Sequence, residues 1–143
     1  MLTTAQKTDS NGNQSLLSTA DNIVDITVAT TLTIADSGKI CVLKAAAGAA
    51  ITLPAVTAGK WGFRFVTGLA FASTAWTVVS TTAVIQGGAI VNSTFVPAAN
   101  ENTITFAANA ETLGDYVDVY SDGTNIYVNG VATAAGAITF TVV

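Results

Sequence analysis

The stretch that decides the fold is residues 114–130, which reads GDYVDVYSDGTNIYVNG. Val, Tyr and Ile alternate with polar residues on both sides of Asp122-Gly123, and a period of two is typical of a β-strand with one buried face. Asp-Gly also suits the positive φ that the tip of a β-hairpin requires. The stretch therefore predicts two strands joined at Asp122-Gly123.

The same alternation recurs along the chain in short runs, and most of these runs are separated by Gly, Asx or Ser turns. Strands are predicted within residues 26–28, 32–34, 40–42, 51–54, 61–66, 76–79, 83–86, 90–96, 102–106 and 137–142. Gly87-Gly88 is interpreted as a turn, and the alanine-rich residues 45–50 are too few for a stable helix and predict a loop or single turn.

Many short strands with no convincing helix predict an all-β fold, either a sandwich or a small barrel. We favour a jelly-roll-like β-sandwich over residues 23–143. No tandem repeat of fixed period is evident, which argues against a propeller or a β-solenoid.

Residues 1–22 differ from the rest because they are rich in Thr, Ser, Asn, Gln and Asp. They predict an extended N-terminal arm whose apolar anchor is the pair Leu16-Leu17. Such an arm is either disordered or ordered by lying across a neighbouring subunit, with Leu16 and Leu17 as the contact. The segment has no basic stretch followed by an apolar one, so Sec-type export is not expected.

The composition indicates a chain that binds other protein. Half of the residues are hydrophobic, only 10% are charged and the mean hydropathy is +0.55, yet no apolar run is long enough to cross a bilayer. Exposed apolar surface of this kind favours association, and we expect a homo-oligomer with no membrane partner. The net charge is −4 and the five basic residues do not cluster, so nucleic acid is not an expected partner.

The residues that usually carry chemistry are scarce. The chain has no histidine, and its one cysteine, Cys41, lies in the apolar run ICVL and is expected to be an inert core thiol. Asp115, Asp118 and Asp122 match no calcium-loop spacing or catalytic carboxylate pair, and we interpret them as solvated hairpin carboxylates. No catalytic residue, metal site or cofactor is predicted, so the chain is not expected to be an enzyme.

Aromatic residues allow two interpretations. Trp61, Phe63 and Phe65 alternate along one predicted strand, which favours a buried aromatic face in the core. The alternative is an exposed platform that stacks on a ligand. Its candidate rings are Trp61, Trp76, Tyr116, Tyr120 and Tyr127.

Residues 114–130, together with ITLP at 51–54 and WGFRF at 61–65, resemble stretches of structural proteins from tailed bacteriophages. The whole chain is similar to a phage head decoration, or cement, protein. The resemblance implies a β-sandwich subunit, commonly a homotrimer, made in the host cytoplasm and carried on the outer capsid surface. There it would bridge neighbouring major capsid proteins, and it would have no catalytic residues.

Two other functions remain open. Similar hairpins occur in phage tail-fibre and baseplate proteins, where this chain would be a receptor- or carbohydrate-binding β domain with an exposed aromatic platform. A pilus or adhesin subunit would need an exported precursor, which the N-terminal residues do not indicate.

Overall fold

A computed structural model describes residues 5–8, 14–17 and 22–143. The described residues form strands and short 3-10 turns, and none lies in an α-helix. The strands are β1 Ala5–Thr8, β2 Gln14–Leu17, β3 Ile23–Ile26, β4 Thr30–Thr31, β5 Ile40–Leu43, β6 Ala50–Thr52, β7 Lys60–Thr67, β8 Trp76–Val79, β9 Ile85–Val91, β10 Thr94–Glu101, β11 Thr103–Phe106, β12 Tyr116–Asp122, β13 Ile126–Ala132 and β14 Ile138–Thr141.

Twelve of these strands form two sheets that pack face to face. The large sheet has the order β10-β9-β13-β12-β7-β5-β3, and the small sheet has the order β14-β11-β8-β6-β4. Strands β1 and β2 pair with each other. The prediction of an all-β sandwich is confirmed.

The first half of the sandwich differs from the predicted connectivity. Strands β3, β5 and β7 are parallel in the large sheet, and β4, β6 and β8 are parallel in the small sheet. The chain passes from one sheet to the other at each step, so these six strands form three stacked coils of a short β-solenoid. A jelly roll is built from antiparallel Greek keys, so this half is not jelly-roll-like, and the prediction against a solenoid was wrong here.

Unequal coil lengths explain why the sequence shows no repeat. Ile23 aligns with Ile40, and Ile40 aligns with Arg64 after a longer interval that includes the 3-10 turn Val56–Ala58. A fixed period is the signature of a solenoid sequence, and this chain does not keep one. The predicted strand at 32–34 is also absent, because Ile34–Asp36 form a 3-10 turn.

The second half is mostly antiparallel and contains the hairpin predicted from residues 114–130. Strands β12 and β13 are antiparallel neighbours, and Gly123 takes a φ of +98° at the turn between them. A second hairpin joins β9 to β10. Its turn is at Asn92 and Ser93, which have φ values of +47° and +63°.

The predicted turn at Gly87-Gly88 was wrong, because β9 runs straight through both glycines. A Cβ on Gly87 would collide with the backbone oxygen of Val128, and one on Gly88 would collide with the backbone oxygen of Val96. These glycines therefore permit a close approach of neighbouring strands, which is the other common reason for glycine in a strand.

The core lies between the two sheets and contains the predicted aromatic face. Trp61, Phe63 and Phe65 are buried on β7, and Trp76 is fully buried on β8. Cys41 is also fully buried, and burial raises the pKa of its thiol to about 11. The thiol is therefore protonated at neutral pH, as expected for a core residue. Residues 45–49 form the predicted loop before β6.

Candidate binding face

The outer face of the large sheet gathers exposed side chains that are far apart in the sequence. In a sheet, residues aligned on neighbouring strands point to the same side, so outward residues form rows that run across the strands. The register of the large sheet defines two such rows of interest, one apolar and one centred on tyrosines.

The first row is here called the apolar band. Its exposed end is formed by Phe95, Ile90 and Val131, whose side chains are 57%, 43% and 46% exposed. At a strand spacing of ~4.8 Å, its six strands span about 24 Å. Its members are Phe95, Ile90, Val131, Tyr116, Val66 and Val42, each aligned with the next. The band is therefore a row of aliphatic and aromatic side chains across six strands, exposed from Phe95 to Val131 and partly buried from Tyr116 to Val42.

Phe95 is held flat on the sheet because Gly88 lies beneath it. A Cβ on Gly88 would lie 2.6 Å from Cζ of the Phe95 ring, which is closer than van der Waals contact allows. Phe95 belongs to β10 and Gly88 to β9, so the ring crosses to the neighbouring strand. The absent side chain at Gly88 thus shapes one end of the apolar band.

The second row is here called the tyrosine pair. The ring centroids of Tyr120 on β12 and Tyr127 on β13 lie 5.6 Å apart, and Tyr120 is 49% exposed. The Tyr127 hydroxyl donates a hydrogen bond to Oδ2 of Asp122 at 3.0 Å, and this bond raises the pKa of Tyr127. The pKa of Asp122 is lowered, chiefly by hydrogen bonds from the backbone N–H groups of Asn125 and Thr124.

An ion pair separates the apolar band from the tyrosine pair. Arg64 donates from Nε and Nη2 to the two carboxylate oxygens of Asp118 at 2.6 and 2.7 Å. Its guanidinium carbon lies 4.5 Å from the ring centroid of Tyr116, a distance that permits a cation–π interaction. The hydrogen bonds to Asp118 raise the pKa of Arg64 further above its ordinary value. Arg64 is therefore fixed in place on the face.

A shallow depression of about 280 Å³ lies beside the tyrosine pair. Gly62 is the cross-strand neighbour of Tyr120 and forms part of the depression, where its N–H donates to Oγ of Ser37 at 2.9 Å. Lys39 donates to Asp36 at 2.5 Å, and this bond is the chief reason that the pKa of Asp36 falls to about 2. The lining residues are Ser37, Gly38, Lys39, Ile40, Gly62, Phe63 and Arg64.

The structure separates the three aspartates that the sequence grouped together. Asp122 is exposed, as expected, while Asp118 is partly buried by its pairing with Arg64. Asp115 is only 4% exposed, so its interpretation as a solvated carboxylate was wrong. Its two carboxylate oxygens accept hydrogen bonds from the backbone N–H groups of Thr112 and Thr133, both at 2.9 Å. Asp115 is thus a structural link between two loops.

The other predicted site residues have mixed outcomes. Trp61 and Trp76 are core residues and cannot form an exposed platform, which leaves the tyrosines. Leu16 and Leu17 end strand β2, and the surroundings of their side chains lie outside what the structure describes. Within the described ranges, no group of three or more His, Cys, Asp or Glu residues could hold a metal ion. No helix in that part of the chain is long and apolar enough to span a membrane.

Sequence reasoning missed the apolar band and the depression. The residues of the band come from β5, β7, β9, β10, β12 and β13, which only the strand order and register bring together. The depression is formed by β5, β7 and residues 37–39, which precede β5. Comparison of the chain with protein-family models, with curated proteins and with solved structures found no significant match.

Proposed function

We propose that this chain is a structural virion protein, a capsid decoration or cement subunit on the outer surface of a phage head. In that role it binds neighbouring major capsid proteins and strengthens the contacts between them, without catalysing a reaction. The observation that supports this proposal is the apolar band, whose exposed end at Phe95, Ile90 and Val131 another protein surface could cover.

The physical argument concerns water and charge. Single exposed apolar residues are common on soluble proteins, but a contiguous exposed strip usually marks an interaction site. The band contains Phe95, Ile90 and Val131 side by side, and none of its six members carries a charge. Covering it with a partner would remove apolar surface from water, which favours binding by ~25 cal/mol for each Å² of apolar area buried. Clamping a shell requires such contact area rather than reactive groups.

Symmetry would multiply a contact of this size. The proposal includes a homotrimer, in which each subunit presents the same band to the capsid and the three contacts act together. The polar N-terminal arm, with Leu16 and Leu17, would extend the contact over an adjacent subunit. The apolar band and the arm thus give the assembly separate points of attachment.

Co-sedimentation with undecorated phage heads tests the proposal. The wild-type chain should pellet with the heads. The double variant I90D/V131D should remain in the supernatant, because burying two unpaired carboxylates in the interface costs free energy. Thr141→Asp is the matched control, since Thr141 is exposed on β14 of the small sheet. It should pellet like the wild type.

Each result of this experiment has a defined meaning. Failure of the wild-type chain to pellet contradicts the proposed function, and equal binding by I90D/V131D contradicts the role of the apolar band in it. Sedimentation equilibrium on the free chain tests the homotrimer separately, and a monomer at all concentrations would contradict that part alone.

A second candidate is the receptor- or carbohydrate-binding domain of a phage tail fibre or baseplate. The specific observation in its favour is the tyrosine pair, in which the rings of Tyr120 and Tyr127 are adjacent and Tyr120 is 49% exposed. Both tryptophans are buried, so an aromatic platform would depend on these tyrosines. Binding of the wild-type chain to host polysaccharide, without binding to heads, would favour this candidate over a capsid role.

A further inference from the structure

The depression is lined by residues 37–40 and 62–64, and part of its floor is the backbone of Gly38 and Gly62. Tyr120 lies next to this lining and is not part of it. Gly62 lies opposite Tyr120 on the neighbouring strand, and a Cβ added to Gly62 would lie 3.4 Å from the Cβ of Tyr120. Gly62 lines the depression and has no side chain, so along this row no side chain of β7 stands between Tyr120 and the depression. An exposed aromatic ring beside an open floor offers a surface on which a flat, partly apolar molecule can stack.

Polar groups line the rim of the same depression. Ser37, Lys39 and Arg64 are among its lining residues, and each carries a polar or charged side-chain group. The hydrogen bonds from Arg64 to Asp118 use Nε and Nη2, so Nη1 remains oriented by that pair and able to donate to a ligand. The rim therefore combines the Arg64 guanidinium, a hydrogen-bond donor held in place by Asp118, with the Ser37 hydroxyl, which can donate or accept a hydrogen bond.

The charges around the depression are largely balanced. Arg64 is paired with Asp118, and Lys39 is paired with Asp36. Asp122 adds a further carboxylate next to Tyr127. A site with this balance has no excess positive charge with which to attract an anion, so it favours a neutral ligand with several hydroxyl groups.

We propose that the depression is a saccharide-binding site that holds one neutral pyranose ring of a glycan. The C–H face of the sugar stacks on Tyr120, and neighbouring hydroxyls form hydrogen bonds with Ser37 and Nη1 of Arg64. A volume of about 280 Å³ suits a single ring held at the surface rather than a deeply buried ligand. The proposal rests on the second candidate function and specifies where the sugar binds and which class of sugar it is.

The site is separate from the apolar band. Tyr116 in the band and Tyr120 in the tyrosine pair are four residues apart on β12, which is about 13 Å along the strand. Substitutions at one location can therefore be made without touching the other, and binding to phage heads and binding to sugars can be measured independently.

The test uses the full chain and isothermal titration with the methyl glycosides of glucose, galactose, mannose and N-acetylglucosamine. Methyl glucuronide serves as the acidic comparison. At least one neutral glycoside should bind, and it should bind more tightly than the glucuronide. Tyr120→Ala should weaken binding about tenfold, whereas Tyr120→Phe should retain most of it because the ring remains.

Two further variants test whether sugar binding is lost because the depression is blocked or because any change on the outer face of the large sheet weakens it. Gly62→Val places side-chain atoms on the floor of the depression and should weaken binding at least as much as Tyr120→Ala. Phe95→Ala, on the same face but in the apolar band, should leave sugar binding unchanged. Tyr120 is exposed, so Tyr120→Ala keeps the test decisive even if Gly62→Val fails to fold.

The outcomes distinguish this site from the function on which it rests. Sugar binding that survives both Tyr120→Ala and Gly62→Val overturns the site and leaves a saccharide function at another location. Absence of binding to every neutral glycoside overturns the site, whereas the second candidate function is overturned only if the chain also fails to bind host polysaccharide. Preference for methyl glucuronide overturns the assignment to a neutral sugar.

Discussion

The outer faces of the two sheets share strand geometry but differ in chemistry. The large sheet presents the apolar band, an ion pair and the tyrosine pair. The small sheet presents threonines on neighbouring strands, and its five strands contain no charged residue. The aligned outward threonines include Thr139, Thr105 and Thr77, with Thr141 and Thr52 in the adjacent row.

This difference indicates which face is used for binding. A threonine on a strand packs its methyl group against neighbours and keeps its hydroxyl in water, so a threonine face is stable while solvated. The exposed end of the apolar band has no polar side-chain atom at Phe95, Ile90 or Val131. Its contact with water is unfavourable until a partner covers it. The small sheet is thus suited to solvent, and the large sheet is suited to contact.

The largest expected effect comes from disturbing the large-sheet face at Gly88. Gly88→Ala should lower the free energy of unfolding by about 3 kcal/mol, because a φ of +153° strains an alanine and its Cβ meets Phe95 and the backbone of Val96. Urea unfolding would measure the loss. The Phe95 ring would also have to move, which should weaken docking through the apolar band.

Gly136→Ala is the control for that variant. Gly136 has a φ of +73°, and nothing lies within 4 Å of an added Cβ, so only backbone strain of about 1 kcal/mol is expected. Equal losses for Gly88→Ala and Gly136→Ala would mean that the contact with Phe95 and Val96 contributes nothing, and that Gly88 does not shape the apolar band.

A smaller effect is expected from the ion pair on the large sheet. Arg64→Ala and Asp118→Ala should each destabilise the fold modestly, and a double-mutant cycle should give a coupling of about 0.5–1 kcal/mol because the pair is bidentate but partly exposed. The coupling should shrink as salt increases. A coupling of zero at low salt would show that the pair does not hold the guanidinium over Tyr116.

The contrast between the faces also explains what the sequence could predict. The alternation of residues around the Asp122-Gly123 turn was sufficient to predict the hairpin. The run from Trp61 to Phe65 was sufficient to predict the aromatic face of the core. Both features are local. Gly87-Gly88 was misjudged because glycine serves turns and close strand contacts alike, and the chain alone does not show the backbone of Val128 lying alongside Gly87.

The features that require register could not be predicted. Val42, Tyr116 and Phe95 lie in one row only because six strands from both halves of the chain pair in one particular order. Neither strand order nor register follows from a single sequence. The parallel coils were hidden by unequal spacing, and Asp115 was misjudged because its partners, Thr112 and Thr133, are contributed by two separate loops.

The smallest expected effect concerns the loop that borders the depression at the rim of the large sheet. Asp36 accepts hydrogen bonds from Lys39 and from the N–H of Thr33, and its pKa is lowered from 3.8 to about 2. A carboxylate whose pKa is lower in the folded state stabilises the fold above pH 3.8, and that stabilisation is lost as the pH falls toward 2.

Asp36→Asn should therefore lower the free energy of unfolding by about 0.5 kcal/mol at neutral pH, a small value because the pair with Lys39 is partly exposed and solvent screens it. The difference from the wild type should vanish as the pH falls from 3.8 to about 2. Urea midpoints of the two proteins across this range give the measurement. A difference in urea midpoint that stays constant with pH would mean that the charge of Asp36 does not hold the loop. The rim of the depression would then depend on backbone contacts, such as the hydrogen bond that the N–H of Gly38 donates to the carbonyl oxygen of Gly62.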